Sequence, residues 1–255
     1  MKRTFAIVMA ALMLLPACTK EIKVETLKLE EDIPFHEGSN SYLDLDLDID
    51  FPVSGFNKQA LENVRRAIRS HCLGDGYADF TASLKELCQT WRDEVAEDYV
   101  STNEAMLEEL EMEEGEAPFL NWGFDYKGSF GQQYLNFINY MIEEYMYLGG
   151  AHGTNAEIPL VFDMKTGEIV PHTYFTGHLA PDLLKSLLDE YKFDGLKETL
   201  GDLDIDEDNV FFVEEIEPSD YYTVDEEGIT FYYQPYELAP YVFGVITIPI
   251  PWKEL

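Results

Sequence analysis

The chain is short of positive charge. Seventeen lysines and arginines stand against fifty aspartates and glutamates, a formal net charge of −33 at pH 7. Such a surface repels nucleic acid and anionic lipid and attracts cationic partners over a range set by ionic screening, so a nucleic-acid partner is excluded. Cysteine is scarce too, only Cys18, Cys72 and Cys88, and no ligand-spaced pair of cysteines or histidines recommends a metal site. No serine or cysteine sits in a nucleophile elbow. The longest unbroken apolar run, Phe5 to Leu15, has eleven residues, too few to span a bilayer as a helix. Disorder is not implied: 46% hydrophobic and 14% aromatic residues are a globular composition, so the acidity belongs to the surface.

Residues Met1 to Cys18 read as a processing signal. Lys2 and Arg3 supply the positive start, the apolar run follows, and Leu15-Pro16-Ala17-Cys18 resembles the lipoprotein box in which the cysteine is acylated. The alternative is an ordinary secretory signal with an incidental Cys18. Lipidation ties the chain to a membrane of the cell envelope, and Thr19 after the cysteine favours the outer membrane. Losing Lys2 and Arg3 leaves 15 basic residues against the same 50 acids, a mature charge of −35. Cys72 and Cys88 then remain, and an oxidising compartment favours a disulfide between them, worth ~3 kcal/mol; the other reading is two thiols on packed helices.

Thr19–Ser41 lacks a period and reads as a tether. "SYLDLDLDIDFP" alternates strictly, with Leu43, Leu45, Leu47, Ile49 and Phe51 on one face, Asp44, Asp46, Asp48 and Asp50 on the other; it predicts a strand ended by Pro52. Asn57 caps a helix to about Cys72, and a second helix follows from about Phe80 to Tyr99, with Glu104–Glu116 an acidic continuation or loop. From Pro118 the chain is aromatic-rich strand material, and "QYLNFINYMIEEYMYLGG", which also fits a helix, is assigned to a strand for its aromatic density. "EIPLVFDMKTGEIV" reads as a hairpin turned at Asp163 and Gly167. Pro181 opens a helix to about Tyr191, and strands are expected near Val210–Val213, Gly228–Tyr233 and Val242–Ile250. The elements come in blocks, so the expected fold class is α+β, a mainly antiparallel sheet with helices packed on it. The expected lobes are 42–144 and 145–255.

Three segments carry a resemblance: "YLGGAHGTN", "VFDMKTGEIV" and "GITFYYQPYELAPYVFGVITIPI". Their order and spacing resemble the RsiV/PdaC-type extracytoplasmic domain family, which includes the ectodomain of a lysozyme-sensing anti-sigma factor and many envelope lipoproteins without assigned function. The resemblance runs from about Tyr145 to Leu255. It implies two small α/β lobes and an envelope location more firmly than an activity.

The candidate ligand-facing or loop-shaping residues are Gly149, Gly150, His152 and Gly153, Asp163 and Gly167, and Tyr236 and Tyr241. His152 has two readings. An imidazole serves as ligand or general base, but no nucleophile accompanies it, and the favoured reading is that it locks a glycine-shaped turn through backbone bonds. A zinc site from His152, His172 and His178 is not recommended by their spacing. "DLDIDEDN", Asp202–Asn209, has the first three spacings of a calcium loop but Glu207 where glycine is required, so solvated carboxylates are expected. No catalytic residue, metal or cofactor is assigned.

The function expected is that of a lipid-anchored envelope binding module. It would recognise a cationic protein such as lysozyme, or a peptidoglycan or other glycan of the cell wall. The alternatives are a cell-wall or glycan hydrolase using carboxylates, and a structural component of an envelope complex.

Overall fold

The computed structural model describes residues 21–196 and 210–255, and it is α+β. Five strands form the larger sheet in the order β1-β2-β3-β4-β5: β1 (Lys23–Pro34), β2 (Tyr42–Ser54), β3 (Trp122–Tyr134), β4 (Phe137–Leu148) and β5 (Thr154–Asp163). All neighbours are antiparallel except β2 and β3, which run parallel. A parallel pair needs a long crossover, and α1 (Lys58–Leu73) and α2 (Leu84–Leu110) provide it. The smaller sheet has the order β6-β7-β8, with β6 (Tyr222–Val224), β7 (Gly228–Tyr233) and β8 (Ile246–Pro251). Along the chain, the short α3 (Thr173–Thr176) and α4 (Pro181–Tyr191) come between β5 and β6.

The alternation of β2 fixes the larger lobe. Leu43, Leu45, Leu47, Ile49 and Phe51 are buried to within 1%, and Val64, Ile68, Leu87, Trp91 and Tyr99 of the helices close over them. Each such aliphatic side chain contributes ~1.5–3 kcal/mol of burial. Asn57 caps α1, its Oδ1 accepting from the amides of Gln59 and Ala60 at 3.0 and 3.1 Å. Ser83 starts α2 through a reciprocal capping box with Glu86, so that helix begins later and runs further than Phe80–Tyr99.

The smaller lobe sits on one corner of the sheet's other face. Phe137 of β4 and Val161 of β5 belong to its core, together with Val170, Leu188, Tyr222, Phe231 and Ile248. Side-chain amides stitch the two sheets. The Nδ2 of buried Asn139 donates to Val224 O at 2.8 Å while its Oδ1 accepts from Val224 N at 3.1 Å. Gln234 repeats the arrangement on Glu157, 2.7 Å to its carbonyl and 3.0 Å from its amide. Each amide thus stands in for one rung of a ladder between strands that do not pair.

Several expectations are corrected. Thr19–Ser41 is not a tether, because Lys23–Pro34 is the edge strand β1. Strand β2 continues through Pro52 to Ser54. Strands β4 and β5 belong to the first sheet, so the change of lobe follows Asp163 instead of falling at Tyr145. Val210–Val213 is a loop, the strand before β7 is Tyr222–Val224, and Val242 lies on a 3-10 turn before β8. The disulfide is absent: Cys72 is a buried thiol in the sheet–helix core and Cys88 a half-buried one on α2. Cys18 and Asp202–Asn209 lie outside the described residues; among the described residues no helix is long and apolar enough to cross a membrane.

Candidate functional site

Three surfaces gather the residues singled out by sequence. The first is the five-residue link between β4 and β5. Gly149 has φ +74°, and a Cβ there would fall 2.1 Å from Phe119 O, so glycine is required twice over. Gly150 has neither constraint, its nearest neighbour being 3.9 Å away. A Cβ on buried Gly153 would meet the Tyr145 ring at 2.4 Å. His152 is exposed, and its Nδ1–H donates to Gly153 O at 2.9 Å. The same carbonyl accepts from the Tyr241 hydroxyl at 2.9 Å. The rings of His152 and Tyr241 stack at 4.6 Å and 30°, and Tyr236 continues the row, 5.6 Å and 32° from Tyr241. Tyr236 is 57% exposed and has φ +70°, a conformation that L side chains rarely adopt.

The second surface, the Asp163–Gly167 turn, has an architectural partner. Asp163 Oδ1 accepts from the amides of Lys165 and Thr166 at 2.7 and 3.1 Å, and Gly167 has φ +70°. The turn lies against the first turns of α1: Asn57 Nδ2 donates to Lys165 O at 2.6 Å, and Asn63 Nδ2 to Thr166 O at 2.8 Å. A Cβ on Gly167 would fall 2.1 Å from Ala60 O. The turn joins the end of β5 to the helix layer, and Gly167 with Glu168 borders a cleft of about 500 Å³ lined from the helix side by Arg66, His71, Asp75 and Asp79.

The third is the outer face of the larger sheet, which sequence reasoning saw only along β2. Register brings Glu30 and Asp32 of β1, Asp44, Asp46, Asp48 and Asp50 of β2, Asp125 of β3, Glu143 of β4 and Glu157 of β5 onto one side. Lys28 and Lys127 are the lysines among them, 2.8 Å from Asp48 and 3.0 Å from Asp125. The crowding has an electrostatic signature. The Asp44 carboxyl is pushed above the ordinary aspartate range by partial burial, and by the charges of Asp32, Asp46, Asp125 and Glu30. Burial and then Glu143 push Glu157 up as well. Between β3, β4 and β5 the face dips into a cleft of about 220 Å³ lined by Asp125, Lys127, Glu143, Glu144, Tyr145, Asn155, Ala156 and Glu157. His152 is not among these.

The histidines do not converge. His172 is bonded through Nδ1 to Thr176 Oγ1 at 3.0 Å, with burial lowering its pKa, while His178 Nε2–H donates to Leu255 O at 2.8 Å. Among the described residues no group of three or more His, Cys, Asp or Glu side chains is arranged to hold a metal ion.

This arrangement has relatives. Residues 177–253 match the family described as "Protein of unknown function (DUF3298)". The DUF3298 match covers the smaller lobe with Tyr236 and Tyr241, and it stops short of the Gly149–Gly153 link. Two solved structures extend the likeness over both lobes. A DUF3298 family member from Bacteroides fragilis is 22% identical, with a TM-score of 0.78, over 92% of this chain and 92% of that one. A DUF3298 family protein from Pseudomonas aeruginosa is 14% identical, with a TM-score of 0.57, over 93% of this chain and 94% of that one. At these identities the likeness is one of fold. A search of curated proteins finds no match to this chain.

Proposed function

We propose that this chain is a non-catalytic binding module, held at a bacterial envelope by lipid on Cys18, whose open sheet face takes a cationic protein. One observation carries the reading: a five-stranded face bears nine carboxylates, from Glu30 to Glu157, against Lys28 and Lys127, and none of the nine is buried. Like charge in excess opposes the compact state, and Lys28 on Asp48 and Lys127 on Asp125 offset only part of it. A basic partner surface would do so, and the same field would steer its approach. The RsiV/PdaC-type resemblance makes lysozyme the first partner to try, and the signal pattern of Met1–Cys18 supports the envelope location.

A rival reading, glycan hydrolysis, has a single foothold. Glu143 and Glu157 lie directly opposite across β4 and β5, and Glu157 holds its proton more tightly than an ordinary glutamate, as an acid–nucleophile pair requires. Glu143 is exposed and the pair lines a cleft of only about 220 Å³, which favours binding over chemistry.

The test is a titration with hen lysozyme at low and physiological salt, comparing two triple variants. Neutralising Asp44, Asp46 and Asp48 to asparagine is expected to weaken binding at least tenfold at low salt and to flatten its salt dependence. Neutralising the exposed Glu104, Glu108 and Glu109 of α2 to glutamine is expected to change it less than twofold. Equal losses in both variants would reduce the attraction to net charge alone, and no complex at low salt would end the lysozyme version.

A further inference from the structure

We propose that the row of rings formed by Tyr236, Tyr241 and His152 is a carbohydrate-binding platform, adjoining the acidic face but recognising by ring stacking, and taking glycans without net negative charge. Core aromatics of this molecule meet mostly edge to face, as Trp91 meets Phe124 at 84° and Phe130 meets Tyr140 at 74°. At the surface, by contrast, His152 and Tyr241 are inclined by 30° and Tyr241 and Tyr236 by 32°. They form a row of successively tilted rings whose outermost member, Tyr236, is 57% exposed.

The row is rigid. One carbonyl, Gly153 O, holds both the Tyr241 hydroxyl and the His152 Nδ1–H at 2.9 Å. The turn carrying Tyr236 is closed by Glu237, whose amide donates to Gln234 O at 2.9 Å and whose Oε2 accepts from Gln234 N at 2.8 Å. The Gln234 side chain in turn grips the Glu157 backbone. The left-handed backbone at Tyr236 is therefore held from both sides. An exposed aromatic in a sparsely populated conformation, kept there by its surroundings, is a feature that clusters at binding sites, and rigidity lowers the entropy lost when a ligand stacks.

Chemistry selects the ligand. The negative face of an aromatic ring attracts the polarised C–H face of a pyranose. Nucleobases stack equally well, but their phosphates are repelled by a chain of net charge −33, and acidic polysaccharides are disfavoured for the same reason. With Nδ1 carrying the proton of the Gly153 bond, the Nε2 of a neutral His152 is an acceptor for a sugar hydroxyl.

The experiment titrates the full chain with chitohexaose, cellohexaose, mannohexaose and, as the acidic comparison, a hyaluronate oligomer. At least one neutral hexamer is expected to bind with little salt dependence, unlike a basic protein on the sheet face, and hyaluronate is expected not to bind. Tyr236→Ala should weaken the neutral glycan tenfold or more and Tyr236→Trp should retain it. Tyr241→Phe, which keeps the ring and loses its anchor, should weaken it by about threefold. Tyr174→Ala, at a ring 66% exposed in the other part of the surface, should change nothing. Thermal melts of each variant separate a lost site from a lost fold. The proposal fails if no neutral hexamer binds at millimolar concentration, if hyaluronate binds as well as they do, or if a folded Tyr236→Ala binds like the parent.

Discussion

Along Leu43–Asp50, alternate side chains go to opposite sides of one strand and meet opposite conditions. Leu43, Leu45, Leu47 and Ile49 enter a closed core with α1 and α2. Asp44, Asp46, Asp48 and Asp50 face solvent beside carboxylates of β1 and β3. The backbone cannot tell the two sets apart, since period 2 serves both. What separates them is that the inner face supplies the stability of the lobe, whereas the outer face spends some of it on like-charge repulsion. A surface that costs stability and covers nothing is free to be shaped by a partner, and substitutions on the two sides test that division.

The largest effect is expected from exchanging one residue of each set. Leu47→Asn puts an amide without partners where a side chain is 1% exposed, combining lost burial with an unsatisfied polar group; a loss of about 3–5 kcal/mol is expected. Asp46→Asn, one position away, removes one charge from a repelling row and is expected to leave stability unchanged within ~0.5 kcal/mol or raise it slightly. Denaturant titration reads both. A similar loss in the two variants would mean that the outer face also contributes to holding the sheet.

The next test concerns the corner where the outer face is covered. Asn139 is 7% exposed and satisfies both backbone groups of Val224. Asn139→Ala leaves those two groups buried without partners and is expected to cost about 2–4 kcal/mol. Gln234→Ala makes the same break at the half-buried Glu157 backbone, where water can enter, and is expected to cost about 1 kcal/mol. If the order were reversed, the smaller lobe would be held mainly at the Glu157 end.

How far the sequence reveals these faces varies with locality. The β2 alternation, the Asn57 cap and the Asp163–Gly167 turn are each written within a few residues, and the structure has the strand, the helix start and the turn there. Strand β1 escaped because Glu31 takes an inward position, where a hydrophobe would have marked the period; Arg92 of α2 meets its carboxylate at 2.6 and 3.0 Å. That pairing spans 61 residues and has no local trace. The start of α2 was readable, because Ser83-Leu84-Lys85-Glu86 is a capping-box sequence. The nine-carboxylate face was not, since it exists only once five strands are in register. The role of the Asp163 turn as a seat for α1 is equally non-local. The aromatic row joins Gly153 to Tyr241 across 88 residues, and no local pattern in either segment marks the pairing.

A smaller, graded effect should come from pH, and its sign distinguishes the faces again. On the outer face Asp44 and Glu157 have raised pKa values, from burial first and neighbouring carboxylates second, and half-buried Glu144 on the inner face is raised by burial alone. A carboxyl that binds its proton more tightly when folded adds stability at low pH, and that contribution is lost as pH rises through the folded value. Glu31, Glu86 and Asp93 behave oppositely. Hydrogen bonds from Arg92 to Glu31, from Ser83 to Glu86, and from Gln89 and then Arg92 to Asp93 hold them below the ordinary 4.5 and 3.8, so their contribution persists until the medium is more acidic than those values. Between neutrality and about pH 5 the first group gains stability on acidification, while His172, whose pKa burial lowers, loses it; with His172 replaced by glutamine, the melting temperature is expected to rise on acidification before falling in stronger acid. Asp44→Asn should remove part of the rise, whereas Glu86→Gln should leave it intact and lower stability at neutral pH. In the His172→Gln chain, a melting temperature that falls steadily from neutrality to pH 5, or a rise untouched by Asp44→Asn, would show that the carboxylates of the outer face do not feel one another strongly enough to shape either stability or partner choice.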